Sequence, residues 1–201
     1  MYVARILYPV NVLGPGKRIG IWFNGCTHRC PGCSNPELWE PQERYRTSVD
    51  TVMKLVNHIS GTQVVDGFTL TGGDPLVQPE ALAQLLPKLS EISDDILVYT
   101  GFDFDTVKKQ YPELVPKIGV LIDGKYIESR NTGIPLRGSD NQNIIVLKEQ
   151  LQTKYRDYLD AAQNEIQNFT TLDGVISVGI HRPGYDMQVD ALLRQKGLEN
   201  I

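Results

Sequence analysis

The segment Cys26-Thr-His-Arg-Cys30-Pro-Gly-Cys33 constrains this chain most, because it gathers every cysteine of the 201-residue sequence into one short stretch. An odd number of thiols packed this tightly makes a poor disulfide framework and points to a metal instead. Intervals of four and three residues let one tight loop wrap a compact centre from several sides. Iron–sulfur clusters are held by cysteine thiolates, normally four for a cubane, and this sequence has no fourth cysteine. A cubane held through three corners keeps one iron open to a small molecule, much as a catalytic zinc keeps an open position. The competing reading is a structural zinc site completed by a histidine, in a non-catalytic binding module. His28, midway between two of the thiols in a short loop, would struggle to reach the same ion.

Around this loop, short apolar runs rich in β-branched residues alternate with helical periodicities, the pattern of an α/β chain with a parallel sheet. Strands are predicted at 19–24, 67–71, 95–100, 118–122, 143–147 and 174–180. Helices fit about 103–111, 149–166 and 186–196. Thr47 and Ser48 offer an N-cap to a further helix, whose apolar stripe Val49, Val52, Met53, Val56 and Ile59 stops at Gly61. Pro79 opens another through Leu82, Leu85, Leu86 and Leu89, in which Pro87 predicts a kink or an end. Residues 128–142 form a long polar loop without periodicity, and such loops tend to be functional. Ligands of parallel α/β folds gather beyond the C-terminal ends of the strands. The cysteine loop, the Gly72-Gly73-Asp74-Pro75 turn, Thr100-Gly101, Asp123-Gly124 and His181 are therefore expected to share one rim.

A formal charge of −4 argues against a protein that holds nucleic acid directly by blanket electrostatics. The composition, 41% hydrophobic and 22% charged, is that of a globular protein whose length suits one domain over residues 1–201. No apolar run approaches the roughly 18 residues of a membrane span, and the N-terminus lacks a secretory pattern. A cytoplasmic protein is expected.

Four segments, taken with the cysteine loop, carry a family resemblance. They are Gly14-Pro-Gly-Lys-Arg18, Asn24-Gly-Cys26 through Trp39, Gly72-Gly-Asp-Pro-Leu76 and Tyr99-Thr-Gly-Phe102. A weaker fifth is Ile122-Asp-Gly-Lys-Tyr126, followed by Arg137-Gly-Ser-Asp-Asn-Gln142. In this order, over about residues 14–147, they resemble the radical S-adenosylmethionine superfamily, whose signature is C-x3-C-x2-C. The resemblance is closer still to the activating enzymes of anaerobic ribonucleotide reductase.

That resemblance implies a partial (β/α) barrel of radical SAM type, with about residues 150–201 as a C-terminal extension of the same domain. It implies a [4Fe-4S] cluster on Cys26, Cys30 and Cys33, whose unique iron takes S-adenosylmethionine. The implied activity is reductive cleavage of S-adenosylmethionine and removal of a hydrogen atom from a glycine of a large glycyl-radical reductase. The electron would come from a low-potential donor such as a flavodoxin or ferredoxin. Gly72, Gly73, Asp74, Thr100, Asp123 and Lys125 are the implied S-adenosylmethionine-binding residues. Asp74 departs from the superfamily's commoner Glu, Gly32 from its common aromatic, and Leu13 stands where an Asp often precedes Gly-Pro-Gly. Trp39 and Phe102 are expected to cover the site, and Arg137, Asn141 and Gln142 to approach cofactor or partner. The same core could instead serve a radical enzyme acting on another peptide or small molecule, with the extension as a substrate cover.

Overall fold

The computed structural model describes residues 1–171 and 174–195. Its main sheet has six strands in sequential order: β1 (Val3–Val10), β2 (Arg18–Phe23), β3 (Gly67–Gly72), β4 (Ile96–Tyr99), β5 (Val120–Asp123) and β6 (Asn143–Val146). The inner four run parallel, while β1 and β6 pair antiparallel at the two edges. The sheet is therefore mixed rather than purely parallel, and no closed barrel is found among the described residues.

Three helices make the crossovers between the parallel strands: α1 (Val49–Ser60), α2 (Pro79–Ser90) and α3 (Phe104–Gln110). The expected N-cap of α1 is present, since Ser48 Oγ accepts from the Thr51 amide at 3.1 Å. Pro87 neither ends nor interrupts α2, which continues to Ser90. The proline sits on the exposed face, while Leu85, Leu86 and Leu89 are wholly buried, so packing holds the turn that the missing amide weakens.

Strand residues alternate between two covered faces, as a period of two demands. Ile19, Ile21, Phe23, Phe68, Leu70, Ile96 and Val98 pack against the apolar stripes of α1, α2 and α3. Leu97, Val120 and Ile122 face the other way, onto Leu136, Leu151 and Tyr155. Tyr155 lies on α4 (Gln152–Ala161), which follows a short turn at Glu149–Leu151.

The helix expected over 149–166 thus stops at Ala161, and Ile166–Thr171 is instead the strand β7. It pairs with β8 (Gly174–Gly179) in a separate two-stranded sheet. The last helix, α5, spans Tyr185–Gln195; residue 196 lies outside the described residues. The extension does not add a strand to the main sheet. Its hairpin packs along the β1–β2 side of the sheet, where Val178 meets Val10, Leu13 and Trp22. Gln167 clips it to the end of β1 and the residue after it, donating to Pro9 O at 2.7 Å and accepting from Asn11 N at 2.9 Å.

At the N-terminal ends of the parallel strands lies a buried charge cluster. Arg18 is fully buried, and its guanidinium donates to Thr69 Oγ1, Pro15 O, Phe68 O and both the carbonyl and carboxylate of Asp95. From α4, Tyr155 and Lys154 donate to the same carboxylate at 2.7 and 2.6 Å. Burial pushes the Asp95 carboxyl up, but Arg18 and the bonds from Arg18, Lys154 and Tyr155 outweigh it and hold the group below its ordinary range.

Candidate functional site

The parallel strands deliver four loops to one rim. After β2 comes the cysteine loop, after β3 the Gly72-Gly73-Asp74 turn, after β4 Thr100-Gly101, and after β5 Gly124. All four border one cavity of about 190 Å³ that is open to solvent, and Cys26, Cys30 and Cys33 all line it. His181 lines it as well, so the expected shared rim exists. Trp22, Thr71 and Tyr99 contribute from the sheet, and Ile176, Val178 and Ile180 from the hairpin.

The cysteine loop is wound by unusual backbone conformations. Gly25 has φ +117°, Arg29 φ +48° and Gly32 φ +70°, and a non-glycine residue at positive φ is uncommon enough to mark a constrained turn. The loop is tied to the neck below it, where Cys26 N donates to Trp39 O at 2.8 Å. All three thiols are free and partly exposed. Burial pushes the Cys26 and Cys30 thiols up, opposed by backbone N–H groups of His28 and Arg29 at Cys26 and of Tyr126 at Cys30. The Asn35 amide points at Cys33 Sγ from 3.4 Å. Amides aimed at sulfur favour thiolate, the form that binds iron.

These residues fit a cluster held by three cysteines: three sulfurs border one cavity, each is approached by an amide, and no fourth thiol exists. His28 is not placed as the fourth ligand of the zinc alternative, because its ring is turned away onto Asp74 with Nε2 at 2.9 Å from Oδ2. Among the described residues, no group of three His, Cys, Asp or Glu is disposed around a single ion.

The glycine turn is used differently from a simple ligand cradle. Gly73 N donates to Phe23 O and Asp74 N to Gly25 O, at 2.7 and 2.9 Å. A Cβ on Gly73 would lie 2.2 Å from Gly25 O, and one on Gly72, whose φ is +101°, 2.5 Å from Phe23 O. Both glycines are therefore required by the close approach of the strand leading into the cysteine loop.

The remaining expected residues divide into two groups. Asp74 and Thr100 border the cavity, but the Thr100 hydroxyl donates to Asp74 Oδ2 at 2.9 Å. Gln142 also borders it. Asp123 is turned into the fold, accepting from Phe104 N and from Asn143 N and Nδ2. Lys125 is not among the lining residues; its charge acts on Cys30, and its carbonyl accepts from Asn141. Arg137 reaches Gln142 O rather than the cavity. Trp39 and Phe102 do not line it either, while Phe102 packs edge-on against His28 with ring centres 4.5 Å apart. Trp22, Tyr99, Asn131 and the β8 residues are cavity walls that sequence reasoning does not anticipate. The alternation of β2 and β4 would have placed Trp22 and Tyr99 on a common face.

Comparison with known proteins bears on this centre. A family model for a 4Fe-4S single cluster domain matches residues 12–145. The chain is similar to the anaerobic ribonucleoside-triphosphate reductase-activating protein of Enterobacteria phage T4, at 36% identity over 69% of this chain and 90% of that protein. The protein of that name from Haemophilus influenzae is 38% identical over 68% of this chain and 93% of its own length. For Escherichia coli K12 the figures are 32%, 67% and 92%. The hairpin that walls the cavity lies beyond the residues matched by the family model.

Proposed function

The chain belongs to the family of anaerobic ribonucleoside-triphosphate reductase-activating proteins, and from that premise we propose that it is a radical S-adenosylmethionine enzyme that installs a glycyl radical in such a reductase. The observation that carries the reading is the convergence of Cys26, Cys30 and Cys33 on one cavity at the C-terminal ends of four parallel strands. We read the six-stranded sheet as the partial (β/α) barrel of that superfamily.

Cys26, Cys30 and Cys33 would hold a [4Fe-4S] cluster, leaving one iron without a protein ligand. When bound, the cluster supplies the electron that cleaves S-adenosylmethionine to methionine and a 5′-deoxyadenosyl radical, which takes a hydrogen atom from a glycine Cα. The chain's own residues provide position and exclusion. An ammonium only donates, so the carbonyls of Gly72 and Gly73 are the groups of this turn suited to accept from it. Trp22, Tyr99, Ile176 and Val178 form apolar wall that keeps water from a reactive intermediate. The partner would be the large reductase subunit, with a low-potential flavodoxin or ferredoxin as electron donor. No helix among the described residues is long and apolar enough to cross a membrane.

One observation favours a second reading, the same chemistry on another peptide or small molecule. The hairpin beyond the matched region forms part of the cavity wall and could act as a substrate cover. Anoxic mixing with a candidate reductase separates the two readings. A glycyl radical doublet in the reductase supports activation, and turnover of another substrate without that doublet supports the second. A protein that binds four iron and four sulfide per chain, as a cubane requires, yet never cleaves S-adenosylmethionine would defeat both.

A further inference from the structure

We propose that Asp74 is a positioning residue, holding the cysteine loop in place through the His28 ring rather than contacting the amino-acid end of S-adenosylmethionine. This rests on the function proposed above and assigns a specific task to the residue that replaces the superfamily's commoner Glu.

The Asp74 carboxylate is 1% exposed and already surrounded by donors. Oδ1 accepts from Leu76 N at 2.9 Å. Oδ2 accepts from Thr100 Oγ1 and from Gly101 N, both at 2.9 Å, and faces His28 Nε2 at the same distance. Three of these donors converge on Oδ2 and one on Oδ1, so of the roughly four lone-pair sites of an ionised carboxylate those of Oδ2, the oxygen facing His28, are taken. Since the other Asp74 partners are all donors to it, the network assigns the hydrogen of this contact to Nε2.

The ring is confined on its other sides too. Its side chain is 7% exposed, and Phe102 meets it edge-on at an interplanar angle of 75°. Gly101 admits it closely, as a Cβ there would lie 2.4 Å from His28 Cδ2. The backbone of the same histidine directs its N–H toward the Cys26 sulfur, as does that of Arg29. A continuous chain of contacts therefore runs from the end of β4, through Asp74 and His28, to a cluster-binding thiol. Partners that orient metal ligands from behind typically change metal affinity roughly 10- to 100-fold when removed.

The test compares the anaerobically reconstituted wild type with Asp74→Asn, His28→Asn, the double variant and His28→Gln. The readouts are iron retained under a chelator, the paramagnetic resonance spectrum of the reduced protein without S-adenosylmethionine, and equilibrium binding of S-adenosylmethionine. Asp74→Asn and His28→Asn are expected to lose iron roughly 10-fold faster and to alter the spectrum in the same way. The double variant should be no worse than either single, because both break one chain of contacts. His28→Gln, whose amide can still donate to Asp74, should recover the wild-type spectrum.

The proposal is overturned if Asp74→Asn weakens S-adenosylmethionine binding while both single variants keep the wild-type spectrum and iron. Additive losses in the double variant overturn it as well. If Asp74→Asn does not fold, Thr100→Val removes one donor from the same carboxylate and should shift the spectrum the same way; an unchanged spectrum overturns the proposal. A wild type that takes up no iron defeats the cluster reading instead. The positioning role is then read from amide exchange over residues 26–30, faster in both single variants if it holds and unchanged if it does not.

Discussion

Arg18 Nη2 donates to Asp95 Oδ1 at 3.0 Å, with the two side chains 0% and 3% exposed. Removing one partner of such a pair leaves an uncompensated buried charge, which typically destabilises by about 3–5 kcal/mol. Asp95→Asn should therefore lower the unfolding free energy from urea titration at neutral pH by about 3–5 kcal/mol. Its native carboxyl is held below the ordinary value, so the stability it contributes is present above that value. This contribution is lost as pH falls through the depressed native one. The wild type should lose stability from about pH 5 downward, with a smaller slope in Asp95→Asn. Equal slopes in the two proteins would refute the assignment.

Tyr155→Phe removes only the phenol bond to that carboxylate and leaves the ring packing intact. Hydrogen bonds to charged groups contribute about 1.5–3 kcal/mol, and chemical denaturation should show a loss of that size. A neutral result would mean that the phenol does not serve the cluster.

Pro87 occupies an exposed position inside α2 and denies the helix one amide. Pro87→Ala should stabilise the fold by up to the ~3 kcal/mol that separates the two residues in a helix interior, and so raise the melting temperature. A fall in melting temperature would show that the ring packs where the structure leaves it in solvent.

At Gly73 the nearest atom to an added methyl is backbone, Gly25 O at 2.2 Å, which cannot rotate away. Gly73→Ala should destabilise by about 1–3 kcal/mol, the usual effect of overpacking, and should also displace the start of the cysteine loop. Urea midpoints and iron content measured together check both consequences.

The hairpin is held by Val178, 3% exposed against Trp22, and by the two bonds of Gln167. A variant with Val178→Ala and Gln167→Ala should exchange amides faster across β7 and β8, while Ile96–Tyr99 stays protected. Unchanged exchange in the hairpin would show that other contacts hold it.

The cysteine centre is legible in the sequence because its information is local: three identical residues at fixed intervals in one loop. The rim is legible too, since each loop follows a strand end. What escapes is long-range or weakly patterned. β1 is hidden because all but one of its residues are half-buried and its apolar pattern is interrupted. β7 is hidden because four of the six residues of Ile166–Thr171 are polar and the strand borders a helix with no strong stop signal. The Asp74 contacts join residues 26 to 46 positions apart in sequence, and no motif encodes that Gly72 and Gly73 serve the approach of Phe23 and Gly25.

The donors that Lys154 and Tyr155 bring to Asp95 have a consequence for synthesis. The ribosome joins every residue of the six-stranded sheet before it adds either donor, so the Arg18–Asp95 pair stays without them until residues 154 and 155 are made. A premature stop after residue 145 would therefore yield a polypeptide bearing every cysteine but lacking the cap on its own floor.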